Sequence, residues 1–143
     1  MSVRVFVPRD AAALSVGAHA VAEAVRRAAE TRGIEITLVR NGSRGLFWLE
    51  PLLEVETQAG RIAFGPVTAG DVDLLFDAGF RPLTDHPLYL GLTEEIPYLK
   101  RQERLTFARC GITDPLSLSD YRAHGGYRGL ARTVTMAGDA VVD

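Results

Sequence analysis

The chain has 143 residues, 47% of them hydrophobic and 24% charged, with a formal net charge of −2. That is the profile of one globular domain with at most a docked extension, and the acidic balance supplies no basic face for nucleic acid. No apolar run reaches the roughly 20 residues that span a bilayer, and one cysteine, Cys110, excludes an internal disulfide and the usual multi-thiolate metal sites.

The opening Met-Ser-Val-Arg-Val-Phe-Val-Pro lacks a signal-peptide layout, so a cytoplasmic protein is expected, with neither membrane nor nucleic acid as partner. Arg4 to Val7 alternates and ends at Pro8, which predicts a first strand. Asp10 is a good helix N-cap, and Leu14, Ala18, Val21, Val25 and Ala28 follow at helical spacing until Gly33 stops the run. Glu35 to Arg40 predicts a second strand, giving a β-α-β unit with parallel strands and a right-handed crossover.

The next stretch, Asn41 to Pro51, is Asn-Gly-Ser-Arg-Gly-Leu-Phe-Trp-Leu-Glu-Pro. Its Asn-Gly pair and second glycine mark a loop with unusual backbone angles, and three large apolar residues follow in a row. Leu53 to Thr57 and Ile62 to Phe64 then predict a β-hairpin across Gln58-Ala59-Gly60-Arg61. Thr68 is expected to cap a helix bearing Val72, Leu75 and Phe76, ended by Gly79. The order β-α-β, hairpin, α predicts an α/β, thioredoxin-like domain: a mixed four-stranded sheet with helices on its faces.

A proline-punctuated connection runs from Arg81-Pro82 to His86-Pro87, and the domain edge is expected near Leu83 to Gly91. The predicted organisation is a thioredoxin-like domain over 1–85 and a helical segment over 86–143. Glu94 to Arg109 is charge-laced, with Pro97 in the first turn of a helix. Ser117 opens a short helix interrupted at Gly125-Gly126, and a last helix is expected from Tyr127 to Met136. The apolar face made by Leu116, Leu118, Tyr121, Tyr127 and Leu130 needs cover, either from the first domain or from something outside the chain.

The tail, Pro97-Tyr-Leu-Lys-Arg-Gln-Glu-Arg-Leu-Thr-Phe-Ala-Arg-Cys-Gly and Asp114-Pro-Leu-Ser-Leu-Ser-Asp-Tyr-Arg-Ala-His-Gly-Gly-Tyr-Arg-Gly-Leu, resembles the lead-in segment of flavoprotein subunits related to complex I. With the Asn41 to Pro51 loop, the whole looks most like the N-terminal region of the beta, diaphorase-type subunits of cytosolic NAD-dependent formate dehydrogenases. The resemblance implies FMN, NAD and a [4Fe-4S] cluster in a following part, which the chain is expected to precede as a fragment. It also implies a [2Fe-2S] thioredoxin-like subunit and a molybdenum catalytic subunit as partners. In thioredoxin-like ferredoxins of this superfamily the loop reads Cys-x-Gly-x-Cys-x-x-x-Pro. Here Ser43 and Phe47 stand at the thiolate positions, while Gly45 and Pro51 remain.

A hydroxyl and a phenyl ring cannot replace thiolates, so Phe47 is expected to fill the vacated space with carbon. No catalytic, cofactor-binding or metal-binding residue is expected within 1–143. The holoenzyme implied by resemblance passes electrons from formate through iron–sulfur clusters and FMN to NAD, and this region is expected to be a docking scaffold. The corresponding subunit of an NAD-reducing hydrogenase and a stand-alone thioredoxin-like binding module are the alternatives.

Other residues invite sharper readings. Cys110 is expected to sit half-buried beside a turn. His19, near the first helix's apolar stripe, does not converge with His86 and His124 on a metal. Glu94-Glu95 is expected to form a solvated first turn rather than an acid/base pair. Gly42 and Gly45 serve turn geometry rather than a phosphate nest. Arg40 and Arg44 bracket the loop and are available to an acidic partner surface. Trp48 is either an interface anchor or a core residue.

Overall fold

The computed structural model describes residues 2–80 and 85–142. Residues 81–84 of the proline-punctuated connection, including the expected domain edge at Leu83, lie outside the described residues. Strand β1 (Val3–Phe6) pairs in parallel with β2 (Ile36–Val39), and the helices α1 (Ala11–Ser15) and α2 (Ala18–Arg32) make the crossover. β3 (Leu53–Thr57) and β4 (Gly60–Phe64) form the expected hairpin, β3 lying antiparallel to β1. Helix α3 (Val72–Asp77) follows.

The sheet has five strands rather than the expected four, in the order β2-β1-β3-β4-β5. The added strand, β5 (Tyr89–Leu92), pairs antiparallel with β4 through Leu92 and Ile62 and through Tyr89 and Phe64. It falls across the stretch read from sequence as a connection. Its four residues follow Pro87 and contain Gly91, so no alternating run announced it.

One face of the sheet is conventional. Val5, Val7, Leu53, Val55, Ile62 and Phe64 pack under the helices, and α2 contributes Ala18, Val21, Ala22, Val25, Ala28 and Ala29. Small side chains on α2 let its backbone come close to the pleats, and the β-branched strand residues fill the space between. The first helix breaks at Gly17 (φ 101°), so the run divides into α1 and α2 and Leu14 is left exposed rather than on the apolar stripe. His19 is exposed too. Asp10 caps α1 as expected, its Oδ1 accepting from the Ala12 and Ala13 N–H groups. At Asp71 the cap runs the other way from the expectation: its carboxylate accepts from the Thr68 N–H and hydroxyl. Arg32, ending α2 at Gly33, donates to Asp73 and Asp77 of α3 and ties the two helices together.

The opposite face carries Arg4, Phe6, Glu54, Glu56, Arg61 and Ala63 by strand alternation. A second apolar cluster covers part of it: Leu46, Leu52, Ala63, Ile96 and Leu99, the last from α4 (Pro97–Lys100). Pro97 occupies the first turn as expected, but the helix ends at Lys100 and does not continue to Arg109. Beyond it come α5 (Leu118–Ala123), capped by Ser117 as expected, then α6 (Arg128–Thr133) and α7 (Asp139–Val142). None of these three helices buries a residue.

Truncating Leu75, fully buried on the inner side of α3, to alanine is expected to cost about 2–5 kcal/mol. The same change at its neighbour Leu74, 50% exposed, is expected to stay within ~0.5 kcal/mol. Urea unfolding of both variants checks the orientation of α3.

Candidate functional site

The loop from Arg40 to Pro51 joins the C-terminal end of β2 to the start of β3, beside the β1–α1 turn. Backbone bonds hold the two together: the Arg9 N–H donates to Asn41 O, and the Arg40 guanidinium donates to Val7 O and Pro8 O at 3.0 Å each. Ser43 and Phe47 lie in this loop, at one end of the sheet.

Within the loop, Gly45 (φ 82°) adopts a left-handed turn, and its N–H donates to Ser43 Oγ at 2.9 Å. Ser43 in turn donates to Glu50 Oε1 at 2.8 Å, and the Leu52 N–H donates to Glu50 Oε2 at 2.9 Å. Glu50 is buried, and loss of hydration pushes its carboxyl above the usual range; the bonds from Leu52 and Ser43 oppose this, and the charges of Asp10 and Glu54 reinforce it.

Phe47 does not fill the loop's interior. It is 63% exposed, and the fully buried side chain is its neighbour Leu46. The turn Phe47–Leu49 is a single 3-10 turn, which sends Leu46 inward and both aromatics outward. Trp48 is 60% exposed and meets Tyr98 edge to face, with ring centroids 5.1 Å apart. The Trp is therefore a surface aromatic.

Arg44 does not face outward. It is buried and grips Glu54 with two bonds, Nε to Oε1 at 3.1 Å and Nη2 to Oε2 at 2.8 Å, while Nη1 reaches Glu94 Oε1 at 2.6 Å. Glu54 is 0% exposed and also accepts from the Thr93 hydroxyl at 3.3 Å, with Arg61 Nη1 at 3.6 Å. Burial acts to lower the Arg44 guanidinium, but the bonds and charge of Glu54, helped by Glu94, outweigh it and hold it above its ordinary value. Arg61 is lowered by burial, although Glu54 acts in the other direction. Its guanidinium lies 3.5 Å from the Phe6 ring centroid.

This network also fastens the tail. Arg61 donates to Gly111 O at 2.8 Å and Ile112 O at 3.2 Å, Asn41 Nδ2 donates to Gly111 O at 2.8 Å, and Arg104 donates to Arg44 O at 2.8 Å. Gly111 (φ 78°) lies against the Arg44 stem so closely that a Cβ there would stand 2.3 Å from Arg44 Cδ. Cys110, beside it, is exposed rather than half-buried. A groove of about 740 Å³ opens between loop and tail, lined by Phe47, Tyr98, Leu105, Phe107 and Cys110.

Glu94 and Glu95 do not form a dyad; Glu94 serves Arg44 and Glu95 pairs with Lys100. Among the described residues no three His, Cys, Asp or Glu side chains converge on a metal position, and no helix is long and apolar enough to cross a membrane. Of the sequence-flagged residues, the structure brings together Ser43 with Glu50 and Arg44 with Glu94. Of the two residues central to the network, Glu54 was read only as part of the hairpin's first strand and Arg61 only as part of its turn.

No protein-family profile matches the chain. Among solved structures, it resembles a thioredoxin-like [2Fe-2S] ferredoxin from Aquifex aeolicus, with a TM-score of 0.52 over 63% of this chain and 91% of that one. The fold is thioredoxin-like. Sequence identity in that comparison is 18%, so the likeness concerns the fold alone. A stretch of 44 residues is 48% identical to the NADP-reducing hydrogenase subunit HndC of Solidesulfovibrio fructosivorans. It amounts to 31% of this chain and only 9% of that subunit's length.

The donor set at the sheet tip does not fit a [2Fe-2S] cluster. The two loops there contain no cysteine, and Cys110 is a single thiol outside them. Two buried acceptors at that end, Asp10 Oδ2 and Asn41 Oδ1, have no donor among the described residues, but both are hard oxygens rather than thiolates.

Two outcomes are expected. Arg44→Met leaves Glu54 buried with only the Thr93 hydroxyl and the longer Arg61 contact, and should cost about 3 kcal/mol, most of it recovered in the Arg44→Met/Glu54→Leu double variant, by urea unfolding. For Glu50 the raised folded value means the native state favours the proton. Its contribution is therefore complete at acid pH, below the unfolded value of about 4.3, and is lost as pH rises through the folded value. The stability of wild type relative to Glu50→Gln should be greatest at the acid end and shrink towards neutrality.

Proposed function

We propose that this chain is a cluster-free, thioredoxin-like docking region of a diaphorase-type subunit in a multisubunit oxidoreductase. The observation that carries the reading is the combination of a ferredoxin-like scaffold with a sheet tip occupied by Leu46 and the Glu50, Arg44 and Glu54 network, without thiols. Such a tip can hold a shape against a neighbour but offers no redox centre. Its role in the reading is positional: the sheet sets the loop, the loop and α4 set the groove, and the tail leads away from it.

The parent enzyme in this reading is an NAD-dependent formate dehydrogenase, on the resemblance of the Asn41 to Pro51 loop and the tail to its diaphorase subunits. FMN, NAD and [4Fe-4S] belong there to other parts of the subunit, and a [2Fe-2S] subunit and a molybdenum subunit are its partners. A hydrogenase is the second reading, and the partial identity to an NADP-reducing hydrogenase subunit supports it equally. The neighbouring catalytic subunit, molybdenum or nickel–iron, separates the two.

Purified protein is expected to be colourless, to contain no stoichiometric iron and to leave an acceptor dye unreduced by NADH. Bound iron near one equivalent, or a visible band bleached by dithionite, contradicts the reading.

A further inference from the structure

The second half of the tail is built differently from the rest of the molecule. Between Tyr121 and Gly138 it carries Arg122, Arg128 and Arg132 and no Asp or Glu, although the whole chain is acidic. None of these three arginines, nor Arg109, has a carboxylate within ion-pair distance among the described residues. Some arginines elsewhere do find acids within the chain, Arg4 at Glu56, Arg32 at Asp73 and Asp77, and Arg44 at Glu54, whereas Arg9, Arg27, Arg101 and Arg104 resemble the tail arginines in lacking one among the described residues.

The turn at Gly125 gathers two of these charges. A Cβ on Gly125 would stand 3.6 Å from Arg128 Nη1 and 3.7 Å from Arg109 Nη2, so both guanidinium groups converge on one side of the turn. Like charges held together in water repel each other, and no carboxylate of the described residues lies within ion-pair distance of either guanidinium. The backbone adds a cost, because Tyr127 sits at φ 60°, a conformation a tyrosine seldom adopts. Tyr121 and Tyr127 stack edge to face at 5.1 Å, with Arg122 5.9 Å from the Tyr127 ring centroid. Beside them Leu116, Leu130 and Val134 are exposed, with Leu116 and Val134 at 72% each.

We infer that this arginine and tyrosine surface docks a protein partner that presents carboxylates from an apolar face. The inference rests on the docking reading above and names the chemistry of the partner. Charge complementarity selects the acids, since unpaired guanidinium groups form short bidentate bonds to carboxylates. The interleaved leucines and tyrosines select protein over polyanion, because Tyr and Arg beside apolar residues are what interface anchors are made of. Nucleic acid would meet a chain of net charge −2, against the strong basic excess such binding needs. An anionic membrane fits no better: α5 and α6 have six residues each, short of the long amphipathic helices that lie in lipid headgroups.

Two arms test it with the full chain and with Arg109→Glu/Arg128→Glu, both exposed positions, circular dichroism confirming an unchanged fold. In solution, amide shifts over residues 121–138 report binding of three probes: a synthetic helical peptide with Glu and Leu on one face, a thymidine oligonucleotide, and phosphatidylglycerol vesicles. The peptide should bind tightest, more weakly as salt rises, and about tenfold or more weaker in the double variant. Tighter binding of oligonucleotide or vesicles, or equal peptide affinity in the variant, overturns the inference. In the source cells, tagged wild type should retain oxidoreductase subunits that the variant loses. Equal retention by both overturns the surface while leaving the docking function intact. Retention of no oxidoreductase subunit, with arginine-dependent peptide binding, overturns the function reading and leaves the surface standing.

Discussion

The buried contact between Arg44 and Glu54 is the constraint on which the rest of the lower sheet face depends. Glu54 is wholly enclosed at the start of β3, where an unpaired carboxylate would cost several kcal/mol, on the order of a Born penalty only partly relaxed. Arg44 supplies a planar, bidentate partner, and Arg61 and Thr93 supply the remaining contacts. Because Arg44 comes from the loop, the loop cannot move without exposing the carboxylate. Because its stem packs on Gly111 and its carbonyl accepts from Arg104, the first half of the tail cannot leave without loosening the loop.

This explains why one sheet supports two unlike faces. The helical side is held by dispersion and burial of small and β-branched residues, and it would tolerate volume-conserving exchange. The other side is held by charges that must all be present together, a high-stakes arrangement in which a missing member leaves its partners unsatisfied. Phe6 lies between these modes, buried on the polar face with guanidinium groups of Arg61 and Arg4 over its ring. The tip of this thioredoxin-like sheet is thus stabilised by oxygen and nitrogen contacts among Ser43, Arg44, Glu50 and Glu54.

Much of the fold was legible because local patterns carry it. The β-α-β unit, the hairpin and the stops at Gly33 and Gly79 follow from alternation, helical spacing and glycine's freedom at positive φ. What failed was non-local. Strand alternation along Leu53 to Thr57 puts Glu54 and Glu56 on one face, but it cannot say that Glu54 is sealed by Arg44 while Glu56 meets Arg4 at the surface. The inward residue of the loop was misjudged by one position, Leu46 for Phe47, because a 3-10 turn sets the direction and leaves no mark in composition. β5 was missed because its pairing comes from β4 rather than from its own four residues. The exposed apolar tail, in contrast, was readable, since Leu118, Tyr121 and Leu130 lie on helices too short to bury anything by themselves.

The most direct measurement of the clamp is amide hydrogen exchange in wild type and Glu54→Gln. If the buried pair holds the tail to the sheet, the Cys110 and Ile112 amides, bonded to Phe107 O and Arg109 O, will exchange faster in the variant while the α2 amides keep their protection. Unchanged exchange at Cys110 and Ile112, in a variant that has lost the charge at residue 54, would contradict the coupling of loop, sheet and tail.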